Sequence, residues 1–329
     1  MSIFDRRAVL LGGMAGISGA GLAACSPSAK APPSLKDIKL GISTTKEGYQ
    51  NFFGPAGQEK SPYAVEYAIL PFDLSLQSIN NGALDAGANF TDIPLTIWGN
   101  KMPDTRIIAV VRSPAANRYL GLVVRPGLKA KTIADLRGKR IGYLRSSNYH
   151  YYLLKILAEQ GLSFADIEPV SLNRDTLPAA FASGQLDGWI TQGIETVIAT
   201  RRYGGTLISV ASGDYAGNGV VVASLKAIND PVRSQAIGDY LLRFRKVIDW
   251  IGANDDAWAD TLAKETGIEK AYFLEQRRHD AEPAKLVAVD DKAIADQQKA
   301  ADVFARAGVI DGTFTAKGLW DKRFSHLLA

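Results

Sequence analysis

The chain has few of the residues on which thiol and metal chemistry depend. Its 329 residues include one cysteine, Cys25, and three histidines, His150, His279 and His326. One cysteine forms no intrachain disulfide and no Cys-X-X-Cys pair, and three histidines leave few side chains for metal binding. We therefore expect no metal and no cofactor. The 38 basic and 34 acidic residues leave a formal net charge of +4, too small an excess to indicate a nucleic-acid partner.

Long hydrophobic runs are also missing from the body of the chain. The composition, 47% hydrophobic and 22% charged, excludes disordered and multi-span membrane classes and is typical of a globular protein with about two domains.

The first 25 residues have the pattern of an export signal. Residues 5–10, D-R-R-A-V-L, resemble the twin-arginine signal, and residues 22–25, L-A-A-C, resemble the bacterial lipobox. The apolar stretch between them, 8–24, has many glycines and at 17 residues is short for a membrane-spanning helix.

We therefore predict a lipoprotein signal peptide over 1–24, lipidation of Cys25 and a flexible tether over 25–34. These predictions place the protein in the periplasm, anchored to the membrane by lipid. The alternative is an uncleaved N-terminal anchor helix, and both alternatives place the body of the chain outside the cytoplasm.

An internal repeat without gaps indicates two similar lobes. Residues 66–85 match 168–187 at a constant offset of 102, pairing E-Y-A-I-L with E-P-V-S-L, Asp73 with Asp175 and G-A-L-D with G-Q-L-D. Each copy predicts a strand, an aspartate-capped helix, a glycine stop and a second strand. Chance similarity between two ordinary βαβ units is the alternative, and either interpretation gives two α/β lobes.

Two apolar runs lie where the chain would pass between these lobes. Residues 119–124 and 219–223 are the predicted hinge crossings, which divide the chain into a first lobe, 35–117 plus 218–329, and a second lobe, 118–217. We expect a ligand cleft between the lobes, with strand C-termini and helix N-termini facing it. The other predicted elements are strands at 37–42, 106–111, 140–143 and 206–210 and helices at 231–251 and 292–307.

Residues 138–150 carry the most specific chemical prediction. A strand ends at Tyr143, small polar residues follow, and a helix begins whose apolar residues recur at helical spacing. We expect Ser146 or Ser147 to cap this helix, whose free N–H groups, dipole and nearby hydroxyls favour an oxyanion. Plain capping is the alternative, and His150 is equally well explained as a packed or exposed ring.

A family resemblance rests on the segments 131–141, 145–150, 161–162, 166–167 and 181–189, and on 89–94, N-F-T-D-I-P. These segments are similar to the aliphatic-sulfonate, taurine and nitrate family of ABC-transporter substrate-binding proteins, and 89–94 resembles a Gly-Asp-Ile-Pro turn of the sulfonate binders. Family membership implies an α/β type II periplasmic-binding-protein fold with a cleft that closes, and delivery of a small anionic ligand to an inner-membrane ABC permease and its ATPase. We expect a monomer.

Departures from the family pattern bear on the ligand. Ser146 stands at a family glycine, and residues 192–194, Q-G-I, replace a Trp-Asp-Pro, so that a cleft carboxylate is missing. A lost negative charge favours an anion, whereas the lost tryptophan leaves open whether the anion is a sulfonate or a related sulfur or nitrogen compound. Arg118 is either an ion-pair partner or a surface residue. The candidate ligand-binding residues are Thr44, Thr91, Asp92, Arg118, Ser146, Ser147, Asn148, Tyr149, His150 and Gln192.

Two other functions remain open beside a solute-binding lipoprotein. Enzymes on the same scaffold include a desulfinase with a cysteine nucleophile and a pyrimidine-forming enzyme with a Cys-rich motif. Since the single cysteine of this chain lies in the export signal, we expect no enzyme. The third possibility is a sensory or scaffold lipoprotein.

Overall fold

A computed structural model describes residues 34–113, 119–212, 217–279, 282–310 and 314–329. The strands are β1 (Lys39–Thr44), β2 (Ala64–Ile69), β3 (Ala86–Thr91), β4 (Thr105–Arg112), β5 (Gly121–Val124), β6 (Arg140–Tyr143), β7 (Glu168–Ser171), β8 (Gly188–Thr191), β9 (Thr206–Val210), β10 (Gly219–Ser224) and β11 (Lys285–Val287). The helices are α1 (Phe72–Asn80), α2 (Asp92–Trp98), α3 (Asn148–Glu159), α4 (Leu177–Ala182), α5 (Ile194–Val197), α6 (Leu225–Asn229), α7 (Pro231–Ala253), α8 (Asp255–Thr266), α9 (Lys270–Arg277), α10 (Asp291–Arg306) and α11 (Ser325–Leu328).

The strands form two sheets with the same internal order. The six-stranded sheet runs β11-β4-β10-β3-β1-β2 and the five-stranded sheet runs β7-β6-β8-β5-β9. In each sheet three neighbouring strands are parallel, β2-β1-β3 and β7-β6-β8, and an antiparallel strand, β10 or β5, follows them. We call the six-stranded sheet with its helices the first lobe and the five-stranded sheet with its helices the second. The predicted two-lobed α/β architecture is confirmed.

The two predicted hinge crossings coincide with the antiparallel strands β5 and β10. The chain changes sheet twice, from β4 to β5 and from β9 to β10. The predicted lobe boundaries at 117/118 and 217/218 fall within or beside 114–118 and 213–216, which lie outside the described residues, and they stay a prediction.

The 102-residue repeat corresponds to β2-α1-β3 in the first lobe and β7-α4-β8 in the second. Gly82 and Gly184 end the two helices at φ angles of 74° and 77°, a left-handed conformation that glycine adopts without steric penalty. The predicted aspartate caps are wrong. Asp73 lies inside the first turn of α1, Asp175 precedes α4, and neither helix has a side-chain cap.

The repeat ends in two carboxylates with the same structural role. Asp85 accepts the N–H of Gly41 in β1 at 2.8 Å, and Asp187 accepts the N–H of Arg140 in β6 at 3.0 Å. An arginine neutralises each carboxylate: Arg233 Nη1 lies 2.9 Å from both oxygens of Asp85, and Arg140 Nε lies 3.0 Å from Asp187. The hydrogen bond from the Arg140 side chain lowers the pKa of Asp187 well below its usual value.

Long helices cover the first lobe and reach the second. The apolar face predicted for 231–251 is confirmed in α7, whose Leu241, Phe244 and Ile248 are buried in the core beneath the six-stranded sheet. Helix α10 contacts both α2 of the first lobe and α3 of the second. Of the helices in the described part of the chain, none combines the length and apolarity needed to span a membrane.

Candidate functional site

The predicted site residues lie at the carboxyl ends of parallel strands. Thr44 ends β1 and Thr91 ends β3 in the first lobe, whereas Ser147 follows β6 and Gln192 follows β8 in the second. Parallel strands of one sheet end at one edge, so each lobe presents two of these segments at one edge. Because α3 contacts α2 and α10, the two edges face each other.

Ser147 is the N-cap of α3. Its Oγ accepts the N–H of Tyr149 at 3.1 Å and donates to the carbonyl of Leu144 at 2.7 Å, and the residue is 7% exposed. The hydroxyl proton is therefore already bound within the protein. These contacts are those expected from the capping alternative. The other N–H groups of the first turn have no acceptor within the helix, so an anion would bind to these groups.

Ser146 has a φ angle of 59°, in the left-handed region. Glycine adopts this conformation without steric penalty, whereas a side chain there is strained. The N–H of Ser146 points at Nδ1 of His150, at 3.4 Å. The loop before α3 thus has a backbone conformation typical of glycine at a position occupied by serine.

His150 is a packed, neutral ring. It is 3% exposed and lies against Tyr143, Phe164 and Phe304. Burial, followed by the charge of Arg145, lowers the pKa of His150 to about 4. At neutral pH the ring therefore offers no positive charge to an anion.

Asn148 and Tyr149 bind side chains that follow β8. Asn148 Nδ2 donates to Gln192 Oε1 at 2.8 Å, and the Tyr149 hydroxyl donates to Glu195 Oε2 at 2.7 Å. Burial raises the pKa of Tyr149 well above its usual value, and the charge of Glu195 adds to this shift, so the hydroxyl keeps its proton. Glu195 also accepts the N–H of Gln192 at 3.2 Å and Nε of Arg174 at 2.5 Å.

Glu195 and Arg174 are the residues that the sequence analysis missed. Glu195 follows 192–194 directly, in the first turn of α5, and Arg174 compensates its charge. The available signal was an acidic residue at a helix start directly after a buried strand. Its arginine partner lies 21 positions away along the chain, where local patterns carry no information.

Asp92 joins the start of β10 to the end of β3. It is completely buried, its carboxylate accepts the backbone N–H of Asn218 at 3.0 Å and the Asn218 side-chain N–H at 2.6 Å, and its own N–H donates to Asn218 O at 3.0 Å. These contacts give Asp92 a structural role at the second crossing. Thr91 is the half-buried N-cap of α2, and Thr44 donates to Gln50 Oε1. Ligand contact by these three residues stays a prediction.

Other contacts between the lobes lie beside the site. Tyr151 and His150 of α3 pack on Phe304 of α10, with ring centroids 5.9 and 5.3 Å apart. Farther along, Tyr119 stacks on His279 at 3.9 Å between centroids. The lobes are therefore in contact through aromatic rings on the α3–α10 side.

Two predicted residues, Arg118 and Cys25, lie outside the described residues. Within the described ranges no group of three or more His, Cys, Asp or Glu side chains is placed to hold a metal ion. Two surface grooves, beside α7 and at the amino ends of β1 and β2, share no residue with the candidate set.

A family model and curated relatives each match part of the chain. Residues 73–222 match the NMT1/THI5 like family. An Escherichia coli (strain K12) protein, provisionally named aliphatic sulfonates-binding protein, is 32% identical over 114 residues, 35% of each chain, and a provisionally named binding protein of Brucella abortus (strain 2308) is 24% identical over 203 residues, 60% of each chain. The alignments thus span between about a third and three-fifths of these relatives.

Solved structures match over most of the chain. The periplasmic aliphatic sulphonate binding protein of Escherichia coli has a TM-score of 0.76 at 21% identity, covering 86% of this chain and 92% of that one. The alkanesulfonate-binding protein of Xanthomonas axonopodis pv. citri, bound to MOPS, has a TM-score of 0.74 at 23% identity, with coverages of 89% and 99%. A desulfurization enzyme matches at 0.63 and 14% identity, covering 88% and 97%. These matches confirm the expected periplasmic-binding-protein fold.

Proposed function

We propose that the protein is an extracytoplasmic solute-binding lipoprotein of an ABC importer. Residues 73–222 match the NMT1/THI5 like family, and the described chain has the periplasmic-binding-protein fold. It binds a small organic anion between its lobes and delivers it to the permease and ATPase. The main observation behind this proposal is that the carboxyl edges of the two sheets face each other. Helix α3 begins at one of these edges with a capped first turn.

The proposed ligand is a sulfonate or a related sulfur or nitrogen anion. The first-turn N–H groups of α3 and the helix dipole favour negatively charged oxygen. Exposed Arg145, next to Ser146, adds positive charge at the same loop. The names of the sulfonate-binding relatives support sulfonate as the first anion to test.

A thermal-shift panel on the purified protein tests this proposal. Butanesulfonate, taurine, nitrate, butyrate and uracil are each added, with neutral butanesulfonamide as the control. A bound anion at 100 times its Kd stabilises the folded state by about 2.7 kcal/mol and raises the melting temperature. The anion-binding proposal fails if no anion raises the melting temperature more than butanesulfonamide does. Recovery of a candidate sulfinate unchanged after incubation supports binding without turnover.

Closure is proposed to occur between a lobe of residues 35–117 plus 218–329 and a lobe of 118–217, in a monomer. Two passages between the lobes allow bending there, a common way for a binding protein to enclose its ligand. Small-angle scattering with the anion that raises the melting temperature should show a smaller radius of gyration. Superimposable profiles with and without saturating anion would contradict closure.

Anchoring is proposed through lipidated Cys25, after removal of residues 1–24, with 25–34 as the tether. The first observation behind it is the L-A-A-C ending of the leader. Replacing Cys25→Ser should move the protein from the membrane to the soluble periplasmic fraction, because two acyl chains are needed for stable anchoring. Retention of the serine variant on membranes would indicate another anchor.

A further inference from the structure

Arg174 reaches across the end of β6. The strand order β7-β6-β8 places β6 in the middle, with Arg174 following β7 on one side and Glu195 following β8 on the other. The two side chains nevertheless meet, with Arg174 Nε 2.5 Å from Glu195 Oε1. Their ion pair therefore spans the carboxyl end of β6, where Ser146 and Ser147 lead into α3.

Glu195 fixes one side of the Arg174 guanidinium. The Glu195 side chain is only 9% exposed and is itself held by the Tyr149 hydroxyl and the N–H of Gln192. The Arg174 side chain is 56% exposed, and its two Nη groups make no hydrogen bond within the described chain. A guanidinium fixed through Nε presents its remaining N–H groups in a defined direction, an arrangement that suits a bidentate oxyanion.

Charges of both lobes act on Arg174. The charge of Glu195 contributes most to raising the pKa of Arg174, and the charge of Glu47 adds to it. Glu47 lies in the loop after β1, at the carboxyl edge of the first sheet. Arg174 follows β7, which is parallel to β6, so Arg174 lies at the carboxyl edge of the second sheet.

We infer that Arg174 binds the anionic group of the ligand and that Glu195 and Tyr149 are positioning residues that aim its guanidinium. The inference rests on the proposed function and names the cation of that site. A sulfonate accepts from the Nη groups with two oxygens and presents a third to the start of α3.

Calorimetric titration with butanesulfonate tests the inference on the intact protein. Arg174→Met should weaken binding about 10- to 100-fold, the range expected for lost hydrogen bonds between charged groups. The matched control is Arg137→Met, because Arg137 is 61% exposed, pairs with Asp166 and belongs to the same lobe, but precedes β6 at the opposite edge of the sheet. This control should change the affinity by less than about twofold.

Tyr149→Phe tests the positioning role. It removes one hydrogen bond to Glu195 and should weaken butanesulfonate binding about 3- to 10-fold. Binding of neutral butanesulfonamide is measured on each variant, because a purely structural effect would weaken both compounds equally. The preference for the charged compound should fall in both Arg174→Met and Tyr149→Phe.

The outcomes separate this inference from the proposed function. Wild-type protein that binds none of the anions defeats both. Three results would overturn the role of Arg174 while anion binding itself remains supported. These are wild-type affinity in Arg174→Met, equal weakening in Arg137→Met, and an unchanged preference of the variants for the sulfonate over the sulfonamide.

Discussion

Replacing His150→Phe should reduce the dependence of stability on pH below neutrality. The ring is 3% exposed, and the centroids of Tyr143, Phe164 and Phe304 lie 5.1, 5.4 and 5.3 Å from its own. Protonation in the folded state would place a charge among these rings, with Arg145 nearby. Burial and then this arginine lower the pKa of His150 to about 4.

The direction of the effect follows from the two protonation equilibria. In the unfolded chain the imidazole titrates near its usual pKa of about 6.5. Between that value and about 4 the unfolded state binds a proton that the folded state does not, so the free energy of unfolding falls as the pH falls. These two values give a loss of about 2 kcal/mol between pH 7.5 and pH 5 from this residue alone.

Urea unfolding of wild type and His150→Phe at pH 7.5 and pH 5 measures this contribution. Carboxylates that titrate in the same range contribute to both proteins, so the relevant quantity is the difference between the two losses. Wild type should lose about 2 kcal/mol more than the variant. His326→Gln, which changes an exposed histidine on α11, controls for removing a histidine as such. Equal losses in wild type and His150→Phe would refute a neutral, buried ring.

The start of α3 provides two further predictions. Ser147→Ala removes a side-chain cap and should lower the free energy of unfolding by about 0.5–2 kcal/mol, while butanesulfonate affinity stays within about twofold because the hydroxyl proton is held by Leu144 O; a tenfold loss of affinity would instead show that the hydroxyl contacts the ligand. Ser146→Gly should raise the free energy of unfolding by up to about 1 kcal/mol, because φ is 59° at this position; a decrease would show that Ser146 makes a contact worth more than the strain.

Much of the fold follows from local patterns. The repeat placed a strand, a helix and a strand in each lobe because glycine stops and apolar runs are local signals. The spacing of Leu241, Phe244 and Ile248 predicted the buried face of α7 for the same reason. Ser147 was one of the two caps expected for α3, and the structure assigns the cap to it.

The contacts within the candidate site could not be predicted, because they join residues that are far apart in the sequence. Glu195 and Arg174 meet only because the sheet places β8 and β7 on either side of β6. Asp92 was identified from a turn motif, but its partner Asn218 lies 126 positions later. The predicted aspartate caps failed because α4 begins beyond Asp175, so the repeated residues do not occupy equivalent cap positions.

The position of β10 imposes an order on the biosynthesis of the molecule. Residues 121–210 contain every strand of the five-stranded sheet, so this sheet can assemble as soon as that segment has been made. The six-stranded sheet instead needs Gly219–Ser224 between β3 and β4, more than a hundred residues after β4 begins. Until then β3 and β4 present unpaired edges, which are open to pairing with other chains.

Such non-local pairing also slows folding, because a long loop must close before the central strand is gained. The nascent protein is therefore most exposed to aggregation from the completion of β4 until the arrival of β10, while the whole second lobe is being made. Substitutions that weaken β10 should reduce the yield of folded protein before they alter the finished molecule.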